Sequence, residues 1–336
     1  MKIFRAGLMV GFMGIANLAG AAEGEKEATS VTPIEAVQPA LEIPKFIFTY
    51  TYAKYDLQGE SSANTGIYKF DKSTVDLHVL TGTWLYSADW TLLAIAPYIK
   101  NMIETVYEPT AQGLNFRTKD FTEGLGDLRL MGISPIFSEG SQSLSYDVGA
   151  TLPTGRIDTF FTSAPAQRAA YNMQPGSGTV DAIGGLTYRY AEGGWAADVR
   201  GQLTARSGKN ANGYALGNEA MTTLSGKYQF NPYISTGAIA NYKIRDKVQG
   251  RDEKYELNNA YASPVDPNVQ GDGHQYYHAP QVNWDTSLTV KVQTAQWSRV
   301  SASLEAGVPV AQGAINKDDL RLDIKSWVSA SLNTVF

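Results

Sequence analysis

The sequence predicts an all-β fold, a transmembrane antiparallel up-and-down β-barrel of about 12 strands, and three observations predict it. Segment after segment alternates apolar and polar residues with a period of two, so each strand has one oily face and one wet face. The connections between these segments are by turns short and long. After the first 22 residues no apolar run approaches the roughly 20 residues of a spanning helix, so a membrane would have to be crossed by strands.

In chain order, residues 1–22 read as a cleaved secretory signal, with Lys2 and Arg5 as the positive start, an apolar run from Leu8 to Leu18, and small residues at Ala19-Gly20-Ala21-Ala22. Residues 23–44, rich in Glu, Ala, Thr, Val and Pro, read as a flexible periplasmic lead-in without material for a core. Residues 45–336 read as the barrel, with strands near 45–55, 74–86, 89–103, 122–136, 143–154, 180–190, 194–206, 218–230, 233–246, 279–292, 297–309 and 321–336. Alternation is clearest where Val75, Leu77 and Val79 interleave with Asp76 and His78, and where Leu144, Tyr146, Val148 and Ala150 interleave with Ser143, Ser145 and Asp147. Wound into helices, these segments would scatter their charges around the cylinder.

The turns at Ser87-Ala88, Phe137–Gln142, Ala191–Gly193, Asn231-Pro232 and Gln293–Gln296 are short, whereas the stretches Leu57–Ser73, Glu104–Phe121, Gly155–Thr179, Ser207–Gly217, Lys247–His278 and Ala311–Leu320 are long. That sorting matches the periplasmic turns and extracellular loops of outer-membrane barrels, and a soluble sandwich has no reason to produce it. The last strand sets Leu322, Ile324, Ser326, Val328, Ala330, Leu332, Thr334 and Phe336 on one face and Arg321, Asp323, Lys325, Trp327, Ser329 and Ser331 on the other. An apolar strand ending in Phe resembles the terminal strand by which the barrel-assembly machinery recognises bacterial outer-membrane barrels. It would pair with residues 45–55 and leave no free edge.

Composition agrees. Hydrophobic residues make up 43% and charged residues only 18%, with 19 Tyr to supply interfacial girdles. Mean hydropathy is −0.23, the average expected when lipid-facing and lumen-facing residues alternate. The net charge of −5 comes without a basic stripe, which argues against nucleic acid, and the absence of Cys removes disulfides and thiolate metal sites.

Lys or Arg facing lipid at mid-depth would cost about 2–4 kcal/mol each, so the polar faces are assigned to the lumen. The lumen-lining candidates are Asp76, His78, Asp127, Arg129, Asp147, Asp181, Arg189, Asp198, Arg200, Lys227, Asp285, Arg299 and Glu305. They pair and fill the interior or line a narrow passage, and their mixed signs choose no ion preference. In the long stretch Gly155–Thr179, the residues Arg156, Asp158, Phe160, Phe161, Arg168 and Tyr171 have the content of an inward-folded constriction loop.

Three short motifs stand out: Gly124-Leu125-Gly126-Asp127-Leu128, Leu152-Pro153-Thr154-Gly155, and Gln174-Pro175-Gly176-Ser177-Gly178-Thr179-Val180-Asp181 leading to Gly185-Leu186-Thr187-Tyr188. Each alone is ordinary turn and strand-end chemistry. Together they resemble the outer-membrane family labelled MetA-pathway of phenol degradation. That resemblance implies an outer-membrane location and passive transport of aromatic or other hydrophobic solutes.

Rival functions are an outer-membrane lipid hydrolase and a scaffold or adhesin barrel without transport. A hydrolase needs Ser beside His on the lipid face, but the only His residues are His78, His274 and His278, and no Gly-x-Ser-x-Gly elbow accompanies them. His274 and His278 follow Gly271-Asp272-Gly273, which argues against a helix that would make their spacing a metal site. The expectation is therefore a monomeric, cofactor-free, non-enzymatic channel in contact with outer-membrane lipid and small-molecule solutes.

Overall fold

A computed structural model describes residues 46–59, 68–87, 89–107, 116–162, 168–169, 171–252, 281–294, 299–314 and 322–336. The segments expected as signal (1–22) and lead-in (23–44), and His274 and His278, lie outside the described residues. The strands are β1 (Phe46–Gly59), β2 (Tyr68–Leu85), β3 (Thr91–Tyr107), β4 (Phe116–Leu125), β5 (Leu128–Glu139), β6 (Gln142–Leu152), β7 (Val180–Glu192), β8 (Trp195–Ser207), β9 (Tyr214–Ala215), β10 (Glu219–Asn231), β11 (Ile234–Arg245), β12 (Gln249–Gly250), β13 (Gln281–Gln293), β14 (Val300–Ala314) and β15 (Leu322–Val335).

β4 and β5 are one wall strand broken at Gly126-Asp127, and β9 pairs only with β12. The rest close antiparallel into a 12-stranded barrel, with β1 bonded to both β2 and β15. The seam runs from Ile47 opposite Val335 up to Gly59 opposite Leu322, so the expected pairing of first and last strands holds. The hairpins β1–β2 and β3–β4 climb further than alternation suggested, taking up residues 68–73 and 116–121 that read as loop.

From β5 round to β14 the faces fall as alternation predicts. On β8, Trp195, Val199 and Leu203 are exposed outward while Arg200, Gln202 and Thr204 are buried inward. The outer surface carries aromatics at its periplasmic end, among them Phe46, Trp84, Trp195, Phe230 and Phe336, where the Phe46 and Trp84 rings stack at 5.7 Å. Tyr98, Tyr242 and Trp284 stand further up. These are the two girdles that sit at membrane–water boundaries.

The upper halves of β1–β3 are inverted. Val75, Leu77 and Val79 are 4%, 2% and 1% exposed and face inward with Ala53, Tyr55, Leu57, Ile95, Ile99 and Ile103. Asp76 and His78, expected in the lumen, share the outward face with Leu80 and Trp84. Outside, Tyr52 Oη donates to Asp76 Oδ1 at 2.6 Å, Tyr50 Oη and His78 Nδ1 are 2.8 Å apart, and Lys54, Asp76, Lys100 and Glu123 stand side by side across the strands. Polar-out and apolar-in is the pattern of a wall standing in water over a packed interior, so β1–β3 leave the apolar membrane band between Leu80 and Asp76.

A β-bulge flips the last strand in the same place. Asp56 pairs with Ser326 but Leu57 pairs with Ile324, leaving Lys325 without a partner position and exposed. Ile324 is 1% exposed on the inner face, not on lipid as strict alternation required.

A test follows from the inversion. Fluorophores on single cysteines at Leu80 and Leu203 will be quenched by bromine-labelled lipid, whereas those at Leu77 and Val79 will not. Quenching at Leu77 with none at Leu80 would restore the simple alternation.

Candidate transport pathway

Past Leu152 the chain leaves the wall and enters the barrel. β4 has β3 on one side only, and residues 154–162 run along its other edge: Arg156 N donates to Leu125 O at 3.3 Å and Phe121 N donates to Thr162 Oγ1 at 3.2 Å. The segment then doubles back, with Ala169 N donating to Thr159 O at 2.9 Å. Gln174 ties both arms, since its Oε1 accepts from Thr159 N at 2.9 Å and its Nε2 donates to Thr159 O and Ala169 O at 3.1 and 2.8 Å. Met173 O accepts from Thr122 Oγ1 and Asn101 Nδ2 on the inner wall. Ala169, Met173 and Phe161 thereby cover the apolar inner face of β1–β3.

The root of this segment explains the motifs. A Cβ on Gly155 would stand 2.7 Å from Gly176 Cα and 2.8 Å from Gly126 C, and one on Gly176 would stand 2.6 Å from Gly155 C. Gly126, Gly155 and Gly176 therefore touch backbone to backbone, a proximity that only glycine permits. Asp127 clamps the junction: its Oδ1 accepts from Gly155 N at 2.9 Å, and its Oδ2 accepts from Ser177 N and Ser177 Oγ at 2.7 and 2.6 Å. Expected as a lumen charge, Asp127 is spent on this junction, because the strand break at Gly126 turns it toward the returning chain.

At its far end the segment meets two other loops. Arg168 and Asp252 form a buried ion pair, 6% and 3% exposed, and Asp252 N donates to Tyr171 Oη at 2.9 Å. The Tyr171 and Tyr214 rings lie 4.4 Å apart in a cluster with Leu216 and Val248. Asn210 Nδ2 and Asn212 Nδ2 donate to Ser177 O and Ile157 O at 2.9 and 2.7 Å. Burial pushes the Tyr214 phenol pKa up, so the ring stays neutral in its pocket. Of the constriction candidates, Phe161, Arg168 and Tyr171 are inside this assembly; Arg156 and Asp158 are exposed and pair with each other at 3.4 Å, and Phe160 is 38% exposed with Arg168 over its ring.

The inner wall opposite β1–β3 is charged and largely paired. Arg200 Nη2 is 3.4 Å from Asp147 Oδ2 and donates to Gln202 Oε1 at 2.5 Å. Gly185 makes room for Asp147, whose Oδ1 would lie 2.6 Å from an added Cβ. Asp181 accepts from Arg206, Thr151 Oγ1 and Thr179 Oγ1. Glu219 holds Lys243 and Arg245 at 3.2 and 2.9 Å, and Arg189 stands 3.7 Å from Asp198. Asp285 accepts from Asn241 Nδ2, and Glu305 faces Lys291 across the strands. Arg129 is buried on the inner face beside Ile95, and Lys227 faces inward lower down. Arg299 is exposed in the turn before β14, so it belongs to the periplasmic rim and not to the lumen lining. Lys243, Arg245 and Gln202, absent from the candidates, complete the wall around Glu219; inward parity alone could have found them.

Accessibility divides the lumen. On β10, Gln229, Lys227, Ser225 and Thr223 are partly open, but Met221 and Glu219 above them are buried; on β7 the change falls between Gly185 and Ile183. The partly open positions form a polar vestibule on the β7–β10 side of the periplasmic part, whereas on β1, β2 and β13 the inward residues Thr49, Thr51, Thr81, Thr83, Thr289 and Lys291 are buried.

Gly155→Val or Gly176→Val should unseat the inserted segment at a cost of about 1–3 kcal/mol, because neither side is a flexible side chain that can yield. Limited proteolysis should then cut between residues 155 and 179 in a barrel that remains folded. Gly201→Ala, where an added Cβ meets nothing within 4 Å, should leave the cleavage pattern unchanged.

A family model described as "Putative MetA-pathway of phenol degradation" matches residues 48–270. Among solved structures, the COG4313 outer membrane channel from Pseudomonas putida F1 aligns over 90% of this chain and 100% of its own, at 16% identity and a TM-score of 0.55. A Pseudomonas aeruginosa FadL homologue aligns over 86% of this chain and 89% of its own, at 12% identity and a TM-score of 0.35. No curated protein sequence matches the chain. The fold is that of outer-membrane barrels, and the match across most of the barrel sequence, including all three motifs that meet at Asp127, makes the chain a member of the phenol-degradation MetA-pathway family.

Proposed function

We propose that the protein is a gated outer-membrane channel for passive uptake of small solutes with apolar or aromatic bodies. One observation carries this: the partly open polar positions of the vestibule lead up to an apolar inner wall of β1–β3 that Phe161, Ala169 and Met173 cover. A scaffold barrel has no use for an apolar surface inside its lumen, whereas an apolar solute does. Withdrawing Ala169 and Met173 from Ile99 and Leu77 would expose that surface to a solute arriving from outside.

Family membership and the COG4313 channel's likeness support a transport role, and they name no substrate for this chain. The leader at residues 1–22 and the lead-in at 23–44 fit export to the periplasm. The Phe336 end fits recognition by the barrel-assembly machinery, and the closed seam fits a monomer in outer-membrane lipid.

Gating makes a direct prediction. In planar bilayers, deleting Phe160–Ala170 will raise single-channel conductance several-fold. Arg168→Ala, which leaves Asp252 without its buried cation at a cost of about 3–5 kcal/mol, will raise the open fraction. Unchanged conductance in both variants, with proteoliposomes that do not swell in any small solute, would favour the scaffold barrel.

A further inference from the structure

We infer that the vestibule's ceiling is a binding site for the anionic group of a carboxylate-bearing solute, formed by Arg200 and Gln202. The inference rests on the transport reading for its physiological meaning, but the site itself stands on geometry.

Arg200 sits where open lumen meets packed lumen. Its cross-strand neighbours Thr187 and Thr223 are partly open, while Gln202 next above it on the same face is 3% exposed. Arg200 spends Nη2 on Asp147 and Gln202, but its Nε is buried without an acceptor, and so is Gln202 Nε2. Two N–H donors within one side-chain pair, one of them on a permanent cation, call for an acceptor-only oxygen group, and a carboxylate offers about four lone-pair sites to such donors. An ammonium would meet the guanidinium's repulsion, and a neutral hydroxyl would forgo the charge-assisted bond. Asp147 shows that this guanidinium can hold a carboxylate, and the space at Gly185 lets Asp147 stay to one side.

The surroundings specify the rest of the ligand. Asp147 lies opposite Ile133 across the strands, and the next inward position, Met131, lies opposite Leu93 at the border of the apolar wall of β1–β3. A ligand whose charge lies at Arg200 can therefore lay an apolar body against that border. The fitting class is a small aromatic or aliphatic monocarboxylate. Arg200 and Gln202 are 8% and 3% exposed, so a carboxylate arriving past Thr187 and Thr223 must displace the side chains that now cover the two donors.

The test uses the purified full-length protein in detergent micelles, titrated calorimetrically with benzoate, benzyl alcohol and benzylammonium. Benzoate should bind saturably and at least about tenfold more tightly than the other two, the difference one charge-assisted bond supplies. Arg200→Gln should weaken benzoate by about tenfold and leave benzyl alcohol unchanged, and Arg117→Gln, on an exposed outer position, should change neither. Equal affinity for benzoate and benzyl alcohol, non-saturable partitioning of benzoate, or an Arg200→Gln protein that binds benzoate normally would each overturn the site. If Arg200→Gln does not fold, Gln202→Leu decides: weaker benzoate binding supports the site and unaltered binding overturns it. Proteoliposomes that pass no solute, alongside benzoate binding that follows this pattern, would reject the channel and keep the site. Uptake that does not distinguish benzoate from benzyl alcohol, alongside undiscriminating binding, would do the reverse.

Discussion

The junction of Gly126, Gly155 and Gly176 under the Asp127 carboxylate is the contact on which the rest of the interior depends. A barrel wall is a two-dimensional hydrogen-bonded surface, and a chain that leaves it and returns within a few ångströms must bring three backbones together where side chains would collide. The glycines permit that approach and the carboxylate, with donors from both arms, fixes it. Once the segment is rooted there it has one place to go, against the inner face of β1–β3. The strand break between β4 and β5, the missing neighbour along β4, and the apolar filling of the upper lumen are consequences of the same departure.

Electrostatics inside the barrel follows a different rule from that on its surface. Lys, Arg, Asp and Glu on the inner wall are removed from lipid, where they would be prohibitive, but also from bulk water, so they survive by pairing. Glu219 between Lys243 and Arg245, and Asp181 among Arg206, Thr151 and Thr179, are satisfied within the wall. Arg200 has a carboxylate partner, yet its Nε is buried without an acceptor, as are those of Arg206 beside Asp181 and Arg168 beside Asp252; what sets Arg200 apart is its place beside the partly open Thr187 and Thr223.

Much of the fold was legible in the sequence because period-two alternation and loop sorting are independent signals of the same architecture. Strand number and closure through the first and last strands came through. Asp76 and His78 did not, since alternation reports only that a strand has two unlike faces. Which face points inward depends on what lies on each side, and above the membrane band β1–β3 have water outside and an apolar segment inside. The short strand extensions at residues 68–73 and 116–121 were hidden for the same reason. The motifs read as separate turns because their meaning is their meeting in space, which no spacing along the chain announces.

The seat of the inserted segment is drawn from both ends of the barrel: Tyr55 and Leu57 come from the first strand, Ile324 and Trp327 from the last. The apolar residues that β1–β3 contribute all precede the segment in the chain, and only Ile324 and Trp327 follow it. Most of the seat is therefore encoded before the segment itself, and the pairing of β15 with β1 that closes the wall also sets the last two residues of the seat in place.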